Sequence, residues 1–211
     1  MVDDPWVLAV VTGLAGLVAL LLTPTMKPFL EERTVWSRSR IHVPLAAIAG
    51  AGAAALAENP AELVAFAAAG VGGSLLTVID LSVRRLPDVF VLATVAALLV
   101  PLGLAAAMGE EWDALGRSLL GAAVLLFGYL LLAMISPSGL GLGDVKFAAV
   151  IGAFLGWFGW SHVAAGTVFG FLLNGVIALL VLLSRRGSRD TDIPFGPSMV
   201  LGAICAVAVL S

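Results

Sequence analysis

The feature of this sequence that most limits its possible folds is a series of long apolar runs separated by short polar segments. A helix that crosses the hydrocarbon core of a bilayer needs about 20 mainly apolar residues. Eight runs reach or approach that length: 6–23, 41–57, 63–82, 89–107, 115–135, 145–160, 163–183 and 195–210. A backbone in lipid must satisfy its own hydrogen bonds, which favours helices for all of these runs. The sequence therefore predicts an all-α integral membrane protein with about eight transmembrane helices in contact with the lipid bilayer.

The charge content narrows the class of protein further. Only 12% of the residues are charged and the mean hydropathy is +1.10, whereas about one quarter of the residues in a soluble domain are charged. A soluble globular enzyme and a disordered chain are both excluded. The net charge of −3 leaves no basic surplus, so no nucleic-acid partner is predicted. With a single cysteine, Cys205, and no HExxH motif, no metal ion or other cofactor is predicted.

The distribution of basic residues predicts how the helices are oriented. Lysine and arginine are retained on the cytoplasmic side of a membrane. If the N-terminus is outside, ten of the eleven basic residues lie in or beside the four cytoplasmic loops, and only Arg117 lies outside. These loops are near 24–40, 83–88, 136–144 and 184–194. Because acidic Asp3 and Asp4 precede the first apolar run, we expect that run to be a permanent helix and not a cleaved signal.

Small residues predict close packing between some of the helices. Gly152 and Gly156 form one GxxxG pair, and Gly166 and Gly170 form another. Such pairs allow the backbones of two helices to approach each other. For Asn174, inside the seventh run, we expect an interhelical hydrogen bond.

Two acidic residues lie within or beside apolar runs, at the predicted cytoplasmic ends. Asp80 interrupts the third run, and Asp144 follows the glycine-rich segment 138–143. Carboxyl groups at membrane depth are costly and by default indicate function. Each also has a structural interpretation, since Asp144 could cap a helix and Asp80 could pair with Arg84. Asp88, after a proline, is expected to cap the fourth helix.

Taken together, Asp80 and Asp144 allow a specific chemistry. If two carboxyl groups lie close together, one keeps its proton, and the pair can act as acid and base on a water molecule. That is the chemistry of an aspartic protease. Gly141 and Gly143 fit this use, because glycines leave room for an extended peptide backbone and can adopt positive φ.

Three motifs, in order and spacing, resemble those of the type IV prepilin peptidases, which are membrane aspartic proteases with a GxGD motif. The motifs are Asp80-Leu-Ser-Val-Arg-Arg-Leu-Pro-Asp88, Gly141-Leu-Gly-Asp-Val-Lys146 and Ile193-Pro-Phe-Gly-Pro197. The resemblance covers roughly 63–210. It predicts a six-helix peptidase core at 63–211, preceded at 1–62 by a two-helix extension with a short basic cytoplasmic loop.

The resemblance implies an endopeptidase in the inner membrane that removes the basic leader of type IV pilin-like precursors at the cytoplasmic face. Asp80 and Asp144 would be the catalytic pair. Independently of the resemblance, we expect the glycine loop 139–143 to provide the substrate surface, with Gly141, Gly143 and Lys146 binding the substrate. Members of the family often carry a cysteine-rich zinc-binding segment and also methylate the new N-terminus. Here the corresponding loop, 24–40, contains no cysteine, and this departure puts the methyltransferase activity in doubt.

Two other functions remain open from the sequence alone. One is a small proton-coupled transporter in which Asp80 and Asp144 form a proton relay, although a relay favours acids near the midplane of the membrane. The other is an inactive membrane scaffold. The residues do not predict the cognate precursor or the oligomeric state.

Overall fold

The described part of the protein consists of helices and their connections. A computed structural model describes residues 5–30, 39–83, 86–136, 140–183 and 194–210. Among them are a 3₁₀ turn, Lys27–Phe29, and eight α-helices: α1 Pro5–Met26, α2 His42–Leu56, α3 Pro60–Val83, α4 Asp88–Gly109, α5 Trp112–Ile135, α6 Leu142–Phe158, α7 Trp160–Leu183 and α8 Gly196–Leu210. Each predicted run overlaps one of these helices, and most of the helices begin a few residues before the run. The prediction of an all-α membrane protein is confirmed.

The helices differ in whether their own length suffices to span a bilayer. Five are long and apolar enough, namely α1 with the 3₁₀ turn, α3, α4, α5 and α7. Helices α2 and α8 have 15 residues each and α6 has 17, at or below the lower limit of roughly 17 residues for a span. Asp80 and Asp144 therefore belong to helices of different kinds, one long and one short.

The chain divides into two compact units, Met1–Gly116 and Arg117–Ser211. In the first unit, α2 packs between α1 and α3, α4 packs on α3, and α1 also contacts α3. The core of this unit includes Ala19, Met26, Val71 and Ile79. The predicted boundary between extension and core, after residue 62, falls within α3. That functional division stays a prediction.

In the second unit, glycines allow the helices to approach each other closely. A Cβ atom built on Gly156 would lie 2.5 Å from the carbonyl oxygen of Arg117 on α5, and one built on Gly152 would lie 2.7 Å from the carbonyl carbon of Gly121. The second GxxxG pair, in α7, receives Gly202 of α8, whose Cβ atom would lie 2.5 Å from the Gly170 nitrogen. Both predicted glycine contacts are confirmed.

The predicted hydrogen bond of Asn174 is also present. The Ser198 hydroxyl of α8 donates to Asn174 Oδ1 of α7 over 3.4 Å. The break between α6 and α7 falls at Gly159, whose φ of 140° is a conformation that L-residues rarely adopt. A single glycine thus separates these two helices.

The predicted orientation can be tested by cysteine labelling. In a Cys205→Ser background, which removes the one exposed native thiol, single cysteines replace the exposed residues Arg40, Ser136 and Glu110. In right-side-out vesicles, a membrane-impermeant maleimide is expected to label only the cysteine at position 110, because the other two positions lie at predicted cytoplasmic ends. Equal labelling at positions 110 and 136 from one side would rule out the alternating arrangement.

Candidate active site

Asp80 lies in the last turn of α3, at the end of a segment buried on every face. All residues from Gly73 to Asp80 are buried, and Asp80 itself is 4% exposed. A helix buried all round is a core element and does not face lipid on one side. One turn earlier, the buried hydroxyl of Thr77 has no hydrogen-bond partner among the described residues. This end of α3 thus combines a carboxyl and a hydroxyl in a buried setting.

The predicted pairing of Asp80 with Arg84 lies outside the described residues, because positions 84 and 85 are not described. The structure does describe Asp88, which is the first residue of α4. The residue at the N-cap is Pro87, and α4 has no side-chain cap hydrogen bond. The prediction that Asp88 caps this helix is wrong, since a proline occupies the capping position.

Asp144 lies in the first turn of α6, at the third helical position. The backbone N–H of Gly141, the N-cap residue, donates to Asp144 Oδ2 over 3.2 Å. This bond is the carboxylate half of a capping box, in which a side chain of the first turn accepts from the N-cap amide. The interpretation of Asp144 as the N-cap residue is therefore wrong, since Gly141 occupies that position, but one oxygen of Asp144 does accept the hydrogen bond of the N-cap amide.

The other carboxyl oxygen of Asp144, Oδ1, does not take part in this capping bond. Asp144 Oδ1 is buried and has no hydrogen-bond partner among the described residues. An unpartnered buried carboxyl oxygen costs free energy, so such groups usually have a function. The capping bond holds the carboxyl in place through Oδ2, which leaves Oδ1 available for chemistry.

The candidate substrate-binding residues surround this carboxyl in the chain. Gly141 and Lys146 are exposed and Gly143 is partly buried, whereas Gly139 lies outside the described residues. Gly141 has φ −76° and ψ 152°, which is extended backbone and not the positive φ that its glycine permits. A Cβ atom there would lie 3.4 Å from Asp144 Oδ2. Glycine at position 141 therefore provides space beside the carboxyl and not an unusual backbone angle.

The third motif leads to residues that the sequence analysis missed. Its Phe195, just before α8, packs against Phe171 of α7 and Tyr129 of α5, with ring centroids 5.0 and 5.8 Å away. Tyr129 and Phe171 also contact each other at 5.6 Å. Tyr129 is the only tyrosine in the chain. That was the one feature of the sequence that could have marked it as a candidate functional residue.

Each catalytic candidate is described within its own unit. Asp80 belongs to Met1–Gly116 and Asp144 to Arg117–Ser211. In the parts of both units that the structure describes, no group of three or more His, Cys, Asp or Glu side chains could hold a metal ion. The pairing of Asp80 with Asp144 stays a prediction.

Comparison with known proteins decides the family. The model of the type IV leader peptidase family matches residues 67–183, which is more than half of the chain and includes both aspartates. The chain belongs to the type IV leader peptidase family. This confirms the resemblance that the three motifs predict.

The curated relatives of this family member are bacterial proteins named prepilin leader peptidase/N-methyltransferase. The relative from Pseudomonas aeruginosa is 31% identical over 140 residues, which are 63% of this chain and 44% of the relative. The one from Legionella pneumophila is 31% identical over 137 residues, 63% of this chain and 45% of the relative. The one from Bacillus subtilis is 32% identical over 107 residues, 51% of this chain and 42% of the relative. The matches thus span less than half the length of these relatives, and no solved structure matches the chain.

Proposed function

We propose that this chain is a membrane-embedded aspartic endopeptidase that removes the basic leader of type IV pilin-like precursors at the cytoplasmic face of the inner membrane. The observation that carries the proposal is the family match, which spans both Asp80 and Asp144. The surroundings of each aspartate support it. One carboxyl ends a fully buried helix segment, and the other has a buried oxygen without a partner among the described residues.

In this mechanism the two carboxyl groups share one proton. Two carboxyls brought together cannot both ionise easily, so the ionised one takes a proton from water while the protonated one gives its proton to the scissile carbonyl oxygen. The attacking water oxygen forms a bond to the carbonyl carbon. The carboxyl that took the proton from water then gives it to the amine as the peptide C–N bond breaks, and the other carboxyl takes back its proton as the carbonyl forms again. No resident metal ion takes part.

The proposed substrate approach uses the residues around Asp144. Gly141 and Gly143 leave room for an extended precursor backbone, and a side chain at position 141 would begin in contact with the Asp144 carboxyl, 3.4 Å from its Oδ2 atom. The exposed side chain of Lys146 lies two residues further along α6. We assign these three residues to substrate binding.

A proton relay across the membrane has less support. Every Asp and Glu that the structure describes lies in a connection or within four residues of a helix end; they are Glu58, Glu62, Asp80, Asp88, Glu110, Glu111, Asp113 and Asp144. A relay requires ionisable groups along the path through the membrane. The positions of the acids therefore favour chemistry at a membrane face. We restrict the proposal to peptidase activity, without the methyltransferase step.

The test is leader removal from a panel of pilin-like precursors by the purified protein in liposomes, read by mass spectrometry of the products. We expect cleavage before the apolar segment of at least one precursor, and we expect the rate to be unchanged by EDTA or 1,10-phenanthroline, because carboxyl groups activate the water. Absence of cleavage with every precursor would count against the peptidase. Cleavage that is lost with chelator and restored by zinc would contradict the metal-free mechanism.

A further inference from the structure

Tyr129 lies on the buried face of α5 that packs against α6. Ser118, Gly121, Leu125, Tyr129 and Ala133 are all buried and follow one another at intervals of three or four residues, so they form one stripe on the helix. The Ser118 hydroxyl donates to the carbonyl oxygen of Ala153 on α6 over 2.6 Å. The stripe therefore faces α6 in the part of the helix where contacts are observed.

The contacts between α5 and α6 define the level of Tyr129 in the unit. Gly121 contacts Gly152, and Arg117 contacts Gly156. Four residues toward the N-terminus of α5 therefore correspond to four residues toward the C-terminus of α6, so the two helices are antiparallel. From Gly121, eight residues toward the C-terminus of α5 lead to Tyr129, and from Gly152, eight residues toward the N-terminus of α6 lead to Asp144. The antiparallel register brings the tyrosine level with the catalytic candidate.

The electrostatics of the structure agree with this register. Burial is the main influence on the Tyr129 phenol and the charge of Asp144 is the second, although Asp144 Oδ1 accepts no hydrogen bond from it. Tyr129 is 3% exposed, and its ring packs against Phe171 and Phe195. A phenol hydroxyl is a hydrogen-bond donor, and Asp144 Oδ1 is the buried acceptor that lacks a partner within the described residues.

We propose that Tyr129 is a positioning residue for Asp144: the Tyr129 hydroxyl donates to the water molecule that is consumed in cleavage, and this water donates to Asp144 Oδ1. This inference rests on the proposed function, since it assigns the hydroxyl a role in that reaction. A donor that faces a carboxylate stabilises its ionised form.

The described part of the second unit contains few other titratable or charged residues. The titratable or charged residues described in this unit are Arg117, Tyr129, Asp144, Lys146, His162 and Cys205. Arg117 donates to the carbonyl oxygen of Trp157 at the far end of α6, and His162 lies in the first turn of α7, just after that end. Cys205 is exposed on α8. Lys146, on the same helix as Asp144, has an exposed side chain, and Asp80 is its proposed partner from the other unit.

The test measures the protonation of Asp144 directly. Dicyclohexylcarbodiimide modifies protonated carboxyl groups in apolar surroundings, and peptide mapping by mass spectrometry quantifies the modified Asp144 as a function of pH. The comparison is made in an Asp80→Asn background, so that coupling between the two carboxyls does not complicate the titration. Tyr129→Phe is expected to move the midpoint of labelling to higher pH by about half a unit to one unit, because the ionised carboxyl loses a donor.

A matched control separates the hydroxyl from the packing. Phe171→Leu disturbs the same aromatic contacts without removing a hydroxyl, so the labelling midpoint of Asp144 is expected to stay where it is. In the wild-type background, Tyr129→Phe is expected to move the pH–rate profile of leader cleavage to higher pH as well. An identical midpoint in the Tyr129→Phe and parent proteins would overturn the inference, and so would an equal shift in Phe171→Leu. If the midpoint shifts but no precursor is cleaved by the wild type, the proposed function fails while the role of Tyr129 toward Asp144 stands.

Discussion

Replacing Asp144 by asparagine is expected to reduce the rate of leader cleavage by about 10⁴-fold or more, as is typical when a member of a catalytic unit is removed. The fold should be retained, because an asparagine amide oxygen can still accept the hydrogen bond from the Gly141 N–H that Asp144 Oδ2 accepts now. What is lost is a carboxyl that can take and give a proton. Asp80→Asn is expected to have the same effect, and the double variant should be no worse than either single one, since the two groups act together.

The measurement is single-turnover cleavage of a fluorescent precursor, with thermal unfolding in detergent as the check on folding. Asp113→Asn is a matched control, because Asp113 also lies in the first turn of its helix and is expected to leave the rate unchanged. If Asp80→Asn retains substantial activity while Asp144→Asn does not, Asp80 is not part of the mechanism.

Replacing Gly121 by alanine is expected to destabilise the second unit by about 2 kcal/mol or more, since overpacking a close contact typically costs 1–3 kcal/mol. A Cβ atom at position 121 would lie 2.5 Å from the carbonyl oxygen of Gly152 and 3.3 Å from the Cα atom of Gly156. Both are backbone atoms, so relief requires the two helices to separate. The midpoint of thermal unfolding is expected to fall by about 5–10 °C.

Another glycine of α5, Gly128, provides a control in which alanine is not expected to lower the stability. Gly128 lies seven residues further along α5, and nothing is within 4 Å of a Cβ atom built there. Gly128→Ala is expected to leave stability unchanged or raise it by up to about 1 kcal/mol, because alanine loses less backbone freedom than glycine in a helix. Equal effects of the two substitutions would show that α5 and α6 do not meet at Gly121.

The existence and approximate bounds of the helices could be predicted because they depend on the composition of continuous segments. An apolar run of bilayer length has few structures other than a helix, whichever partner it packs against. The cytoplasmic placement of the basic loops stays a prediction. The GxxxG pairs were also visible, since a helix presents residues four apart on one face.

The partners of those residues could not be predicted. The GxxxG pattern at Gly152 predicts a close contact between helices, but only the structure shows that its partner is Gly121 of α5. The prediction for Asp88 failed for a related reason, since helix α4 begins one residue after the proline and leaves Pro87 in the capping position. The exact residue at which a helix begins depends on backbone geometry, which the composition of the segment does not determine.

The sequence by itself determined that the protein is an all-α membrane protein of the leader peptidase type, through runs of apolar residues and three short motifs, all of which are local in the chain. Only the tertiary structure decided which oxygen of Asp144 is used by the cap and which is left buried without a partner among the described residues. It also decided that Tyr129 is level with that carboxyl. The level of Tyr129 depends on the antiparallel register of α5 and α6, which is set by how close their backbones can come at Gly121, Gly152 and Gly156 and not by any pattern within one segment.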